Sequence, residues 1–215
     1  LYAAFRVGER IVRILGRGQG KPDFELALKR LAPTLAKVAT LQPTFRLRPG
    51  PSIFHALIAW GFIYYLLVNA GDVLEAYIPG FRFAVNFTAL GTGVIGGIYR
   101  LLGDLLSVGV LTGMVAMIIR RFVIKPATLG ARETVLLHPK ARAGIRRDSA
   151  IVGGFILLHV GWRFLGQSFR IAAEGHDAWQ PFTSLVANLW VGFSESALKV
   201  GEHLGFWIAL GAILA

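Results

Sequence analysis

The feature that most constrains this chain is a set of four long apolar stretches, which cover residues 51–70, 84–119, 149–169 and 197–215. A helix needs about 20 mostly apolar residues to cross a bilayer, and each stretch reaches about that length. Only 16% of the 215 residues are charged and the mean hydropathy is +0.58, which is too apolar for a soluble domain of this size. The sequence therefore predicts an all-α integral membrane helical bundle with four transmembrane helices.

The borders of these stretches give the expected domain organisation. Glycines between positions 91 and 97 predict a break between a short surface helix and a membrane helix that begins near Ile98. Residues 1–18 resemble the cytoplasmic end of an earlier helix, and the last apolar stretch is still running at Ala215. We therefore expect part of a longer protein with five or more crossings. Residues 1–50 would hold the end of its first helix and a basic segment, and residues 51–215 the bundle. Within the basic segment, residues 23–40 fit either an interfacial or partner-docking helix or a solvated loop.

Lysine and arginine are concentrated in two connecting segments. Residues 1–50 hold ten and residues 120–148 hold eight of the 23, whereas residues 71–97 hold one and residues 171–196 hold none. The positive-inside rule therefore predicts that residues 1–50 and 120–148 are cytoplasmic in a multi-pass protein. This topology and anionic lipid headgroups account for the net charge of +11 better than nucleic acid binding does. The chain has no cysteine, which excludes disulfides, thiolate zinc sites and iron–sulfur clusters within these residues.

Three of the five histidines, His55, His159 and His203, lie inside apolar stretches, where ionisable side chains are expensive and usually functional. From the helical rise, His159 lies roughly 16 Å and His55 roughly 6 Å from the cytoplasmic boundary, and His203 roughly 10 Å from the outer one. A neutral imidazole in a helical bundle is a good axial ligand for haem iron. We therefore predict one or two b haems with these three histidines as iron ligands, and His159 and His203 sharing the outer site.

Arg163 follows His159 by one helical turn, and a haem propionate would give both polar groups one partner. Snorkelling to the outer headgroups or an ion pair with Glu202 explains Arg163 equally well. Glycines in the third and fourth stretches would admit a flat porphyrin, but they also serve ordinary packing of membrane helices. The four-residue spacing of Arg100 and Asp104 predicts an ion pair on one helix face.

Two other classes of function stay open. A haem-free membrane anchor or assembly subunit of a larger complex would have its histidines satisfied by neighbouring helices. An ion transporter would line its path with histidines, but it normally also needs intramembrane carboxylates. The candidates for that role, Asp104 and Glu202, both lie toward a membrane boundary.

Three segments carry a family resemblance: "FHALIAWGFIYYLL" from Phe54, "YRLLGDLLSVGVLTGMVAMIIRRFVIKP" from Tyr99 and "RDSAIVGGFILLHVGWRFLGQSFRIA" from Arg147. They resemble the membrane domain of heterodisulfide-reductase-related iron–sulfur oxidoreductases. That domain is similar to the gamma subunit of respiratory nitrate reductase, a five-helix protein that binds b-type haems. The resemblance implies a respiratory membrane cytochrome b in a bacterial or archaeal plasma membrane. It would pass electrons between the quinone pool and a cytoplasmic iron–sulfur or flavoprotein partner.

The resemblance also bears on individual residues. His55 matches the family's histidine at the start of "HxxxxWGF", although Ala59 replaces the aromatic residue often found there, and His203 matches the histidine that enters the last helix. Further histidines beyond Ala215 would be the natural partners of His55. Tyr65 stands where the nitrate reductase subunit carries a second histidine, so the outer haem would have to use His159.

Overall fold

Helices are the only regular elements in the residues that the structure, a computed structural model, describes: 2–18, 23–79, 94–129 and 135–214. The predicted all-α class is therefore confirmed for these residues. The chain divides into two compact units, Leu1–Gln42 and Pro43–Ala215.

The first unit contains α1 (Tyr2–Leu15) and α2 (Phe24–Ala39). In α1, Glu9 forms exposed ion pairs with Arg6 at 3.0 Å and Arg13 at 2.8 Å, one turn to either side. Asp23 caps α2, because its side chain accepts a hydrogen bond from the backbone N–H of Leu26 at 2.9 Å. Residues 23–40, for which the sequence allowed either a helix or a loop, are therefore mostly helical, and Pro33 lies inside the helix.

The second unit carries the long apolar helices. The short α3 (Gln42–Leu47) overlaps the unit boundary and precedes α4 (Pro49–Tyr77). Helix α5 (Val94–Ile118) continues into a π-helix, Ile119–Ile124, and a 3₁₀ turn, Ala127–Leu129. The remaining elements are α6 (Pro139–Glu174), α7 (Pro181–Ala187), a 3₁₀ turn (Asn188–Trp190) and α8 (Glu195–Leu214).

Three of these helices are long and apolar enough to cross a membrane: Pro49–Gly71, Gly96–Ile124 and Pro139–Glu174. They are consistent with a multi-pass membrane protein. Helix α8 has 20 residues, but Lys199, Glu202 and His203 lower the hydropathy of its first half. Three of the four predicted crossings are thus found as candidate spans, and the crossing by α8 stays a prediction.

Several helix boundaries differ from the predicted ones. Helix α5 begins at Val94 rather than near Ile98, and the short surface helix predicted before it lies outside the described residues. The third apolar stretch is the middle of the 36-residue helix α6, whose first turns are basic. Its helical pattern runs on because residues 140–148 contain no proline and only one glycine to interrupt it.

The bundle packs through glycines, which allow neighbouring helices to approach closely. Gly61 of α4 lies against Val110 of α5, and Gly113 of α5 lies against the Phe54 carbonyl of α4. On the other side of the bundle, Gly166 of α6 faces Gly205 of α8. The buried apolar core lies around α4, α5 and α6 and consists of Ile58, Tyr65, Val110, Met114, Ile156 and Val160.

We expect Gly205→Ala to separate α6 from α8. A β-carbon at Gly205 would lie 2.5 Å from Gly166 Cα and 2.8 Å from the Trp162 carbonyl oxygen, and backbone atoms cannot move aside as a side chain can. The free energy of unfolding should fall by about 1–3 kcal/mol, measured by thermal or denaturant unfolding in detergent. Gly211→Ala is the control on the same helix, since a β-carbon there would meet no atom of another described helix within 4 Å. Equal stability of the two variants would contradict this packing.

Candidate functional site

His159 is a buried ionisable side chain in the middle of the bundle, and it is only 5% exposed. Its Nδ1 lies 2.9 Å from the Ala209 carbonyl oxygen of α8. The imidazole stacks on Phe155, with ring centroids 6.2 Å apart, and meets the edge of Tyr65 at 5.9 Å. Because a carbonyl oxygen only accepts hydrogen bonds, Nδ1 carries the proton. In the neutral ring, Nε2 then holds the lone pair, and it has no hydrogen-bond partner among the described residues.

The other two predicted ligands lie in different surroundings. His203 is exposed on α8, and its Nδ1 lies 2.8 Å from the Lys199 carbonyl oxygen of the same helix. His55 is exposed near the start of α4. Across the described ranges, no group of three or more histidine, cysteine, aspartate or glutamate side chains is close enough to hold a metal ion. Of the three predicted haem ligands, His159 is buried, whereas His55 and His203 lie on the surface of this unit.

Close packing of α6 against α8 fills the space beside the glycines at their interface. A β-carbon at Gly166 would lie 3.2 Å from Gly205 Cα, and one at Gly201 would overlap the Phe169 ring at 2.6 Å. The two helices therefore touch along this interface. The expectation that a haem lies between His159 and His203 does not fit this geometry, since a porphyrin between the helices would need them further apart.

Arg163 lies one turn beyond His159 and faces α4. Its Nη1 donates to Asn69 Oδ1 at 3.5 Å, and its guanidinium lies 5.9 Å from the centroid of the Tyr65 ring. Glu202 forms no ion pair with it within the described structure. The side chain therefore belongs to the same polar region as His159, at the contact between α4 and α6.

Tyr65 connects this region to α5. Its hydroxyl lies 2.7 Å from Ser107 Oγ, and Ser107 Oγ donates to the Gly103 carbonyl oxygen. Since the serine proton is used on Gly103, the tyrosine hydroxyl is the donor to Ser107. Tyr65 thus joins α4 to α5 and also packs against the His159 ring.

Asp104 is the buried carboxylate that the sequence pattern assigned to the wrong partner. It is 3% exposed, and it accepts hydrogen bonds from the backbone N–H groups of Phe182 at 2.7 Å and Thr183 at 2.9 Å and from the Thr183 hydroxyl. A carboxylate at this position satisfies the first free N–H groups of α7. The predicted ion pair with Arg100 is therefore wrong, because α7 approaches α5 and takes both carboxylate oxygens.

Arg100 instead pairs with Asp177, in the connection between α6 and α7, at 2.8 Å. Asp177 also accepts hydrogen bonds from the Trp179 backbone N–H and from Gln180 Nε2, each at 2.9 Å. Burial alone would raise the pKa of Asp177, but these hydrogen bonds and the charge of Arg100 together lower that pKa below its ordinary value. Asp104 thus attaches α7 to α5, and Asp177 attaches the connection between α6 and α7 to α5.

Comparisons of the chain with protein-family models, with curated proteins and with solved structures found no match.

We expect Asp104→Asn to loosen α7. Asparagine keeps one acceptor oxygen, but its NH₂ group would face a backbone N–H and leave that donor unsatisfied. The free energy of unfolding should fall by about 1–3 kcal/mol, and hydrogen exchange at the Phe182 and Thr183 amides should become faster. Glu174→Gln is the control, since the ion pair of Glu174 with Arg170 is exposed and such pairs contribute little. Unchanged exchange in Asp104→Asn would contradict the assignment.

Asp177 should make the stability of the protein sensitive to acid. Its pKa is lowered in the folded state, so its stabilising effect is present above the unfolded pKa of about 3.9 and is lost as the pH falls through the lower folded pKa. Asp177→Asn should therefore be less stable than the unmodified protein at pH 6, and the difference should shrink below about pH 4. Unfolding followed in detergent between pH 6 and pH 3 measures it. A difference that stays constant across this range would show that the ionised Asp177 has no stabilising role.

Proposed function

We propose that this chain is the membrane-embedded part of a b-type cytochrome, which passes electrons between the quinone pool and a cytoplasmic iron–sulfur or flavoprotein partner within a larger complex. The observation that carries the proposal is the state of His159: a buried imidazole with Nδ1 held by Ala209 and Nε2 without a partner among the described residues. The segment resemblance to cytochrome b membrane domains supports it independently.

The geometry of His159 fits a single axial ligand. Histidines that bind metals almost always donate their second ring N–H to a carbonyl, a carboxylate or water, which fixes the tautomer and the ring orientation. The hydrogen bond between His159 and Ala209 has this form. It leaves Nε2 as the basic ring nitrogen, and Nε2 has no hydrogen-bond partner among the described residues.

The remaining residues of the region would shape the site. The Phe155 ring stacks on the His159 imidazole, and the Tyr65 ring meets it edge-on. These contacts keep the surroundings of the imidazole apolar. Arg163 would place a positive charge one helical turn from His159, where it could neutralise a haem propionate. A b haem bound at His159 would supply the one-electron chemistry, and the chain supplies ligation, burial and hydrogen bonding. With His203 exposed, a second axial ligand from α8 is not part of this proposal.

A haem-free anchor or assembly subunit is the second candidate, and a specific observation favours it. The close contact of α6 with α8 and the hydrogen bond of His159 to a carbonyl are also what a purely structural histidine would show. An ion transporter gains no support from Asp104, because both oxygens of this intramembrane carboxylate are bound by α7.

A dithionite-reduced minus oxidised spectrum of the purified protein decides between these candidates. We expect b-type absorption bands in the unmodified protein and their loss in His159→Ala. In His176→Ala, which changes an exposed histidine, the bands should persist. His159→Gln can keep the hydrogen bond to Ala209 but offers no imidazole, so it should fold and still lack the bands.

The anchor predicts a different set of results. The unmodified protein would show no b-type bands, and His159→Gln would be as stable as the unmodified protein and would assemble normally with its partner subunits. Bands that survive in both His159 variants would place the haem elsewhere and would overturn the role given to this residue.

A further inference from the structure

A cavity of about 390 Å³ lies between the end of α5 and the first half of α6. Its polar lining consists of Arg120, Arg121, Asp148 and Ser149. Its apolar lining consists of Met114, Met117, Ile118, Phe122, Leu129, Val152 and Gly153. The cavity thus joins a charged end to an apolar interior at the end of the bundle that carries the basic residues 120–148.

Within the described residues, the charges that line this cavity are not balanced. The Arg120 guanidinium forms no ion pair or hydrogen bond with any described residue. Arg121 makes one long hydrogen bond, 3.4 Å from its Nη2 to the Ile145 carbonyl oxygen. Asp148 lines the same cavity, but it forms no ion pair with either arginine. Two guanidinium groups against one carboxylate leave a net positive charge, which favours an anionic ligand.

The local backbone brings both arginines to one side. Arg120, Arg121 and Phe122 are three successive residues, and all three line the cavity. Successive residues of a regular α-helix point about 100° apart, but this segment is a π-helix, Ile119–Ile124, a distortion often found at functional sites. Lys125 ends it in a left-handed conformation with φ 49°.

Gly153 lines the apolar part of the cavity. A β-carbon at Gly153 would lie 3.1 Å from Ile118 Cδ1 and 3.5 Å from Met114 Sδ. Ile118 and Met114 of α5 therefore pack closely against Gly153, and together with Val152 they form an apolar wall of the space between α5 and α6. This space is suited to an alkyl chain and not to a small hydrated anion.

We propose that this cavity binds an anionic phospholipid, with its phosphate at Arg120 and Arg121 and an acyl chain between α5 and α6. Charge complementarity selects the headgroup, since arginine binds phosphate oxygens in a bidentate manner. The apolar lining selects a lipid over free phosphate. The count of lysine and arginine also predicts that this end of the bundle lies at the cytoplasmic leaflet, where anionic lipids attract basic segments.

Native mass spectrometry of the purified protein, titrated with dioleoyl phosphatidylglycerol, tests the proposal. We expect one tightly bound phosphatidylglycerol per chain and no comparable binding of dioleoyl phosphatidylcholine. Arg120→Gln/Arg121→Gln should weaken the binding by about tenfold, because charge-assisted hydrogen bonds to the phosphate are lost. The matched control is Arg142→Gln/Arg147→Gln, which removes the same charge from exposed positions on α6 outside the cavity and should bind as the unmodified protein does.

A second variant tests the acyl chain separately. Val152→Phe enlarges an exposed apolar side chain that lines the cavity without changing charge, and it should also weaken the binding; it carries the test alone if the double arginine variant does not fold. Equal loss of lipid in the control pair would show general surface attraction and overturn the proposal. Displacement of the lipid by millimolar inorganic phosphate would show a plain anion site, and tight binding of a quinone in place of phosphatidylglycerol would show a quinone pocket. Either result would also overturn it.

Discussion

The close approach of α6 to α8 is the constraint on which most of the structure depends. Gly166 and Gly205 bring the two backbones together, and this contact sets the distance at which His159 reaches the Ala209 carbonyl oxygen. The same interface is extended by Gly201 under the Phe169 ring. Phe169 in turn stacks on Trp190, whose Nε1 donates to Ser168 Oγ at 2.9 Å. The contact between α6 and α8 therefore fixes both the orientation of the His159 imidazole and the position of the connection that leads into α8.

Two buried polar groups, one on α4 and one on α5, find their partners on a neighbouring helix. Tyr65 of α4 uses Ser107 of α5, and Asp104 of α5 uses the first N–H groups of α7. In hydrocarbon an unsatisfied polar group costs several kcal/mol, so such bonds fix which helices are neighbours. His159 departs from this pattern, because only one of its two ring nitrogens has a partner among the described residues.

The sequence predicted some of these features well and others not at all, for physical reasons. The apolar stretches identified the long helices, and the position of His159 within one of them predicted a buried imidazole. The exposure of His203 was not predictable, because the side of α8 that faces α6 is decided by glycine contacts between the helices. The partner of Asp104 was missed because it lies 78 residues away in the chain, whereas the spacing rule considers only neighbours on one helix. The arginines that line the cavity lie in a π-helix, and sequence periodicity does not show one.

The two ends of the bundle are therefore suited to different chemistry. At the α7 end, Arg100 pairs with Asp177, and Asp104 accepts hydrogen bonds from the first residues of α7, so these charged groups already have partners within the protein. At the opposite end, Arg120 and Arg121 line an open cavity whose single carboxylate pairs with neither. Between them, the helices touch at Gly166 and Gly205. The cavity at Arg120 lies outside this contact, so an anionic amphiphile in it would not require α6 and α8 to separate.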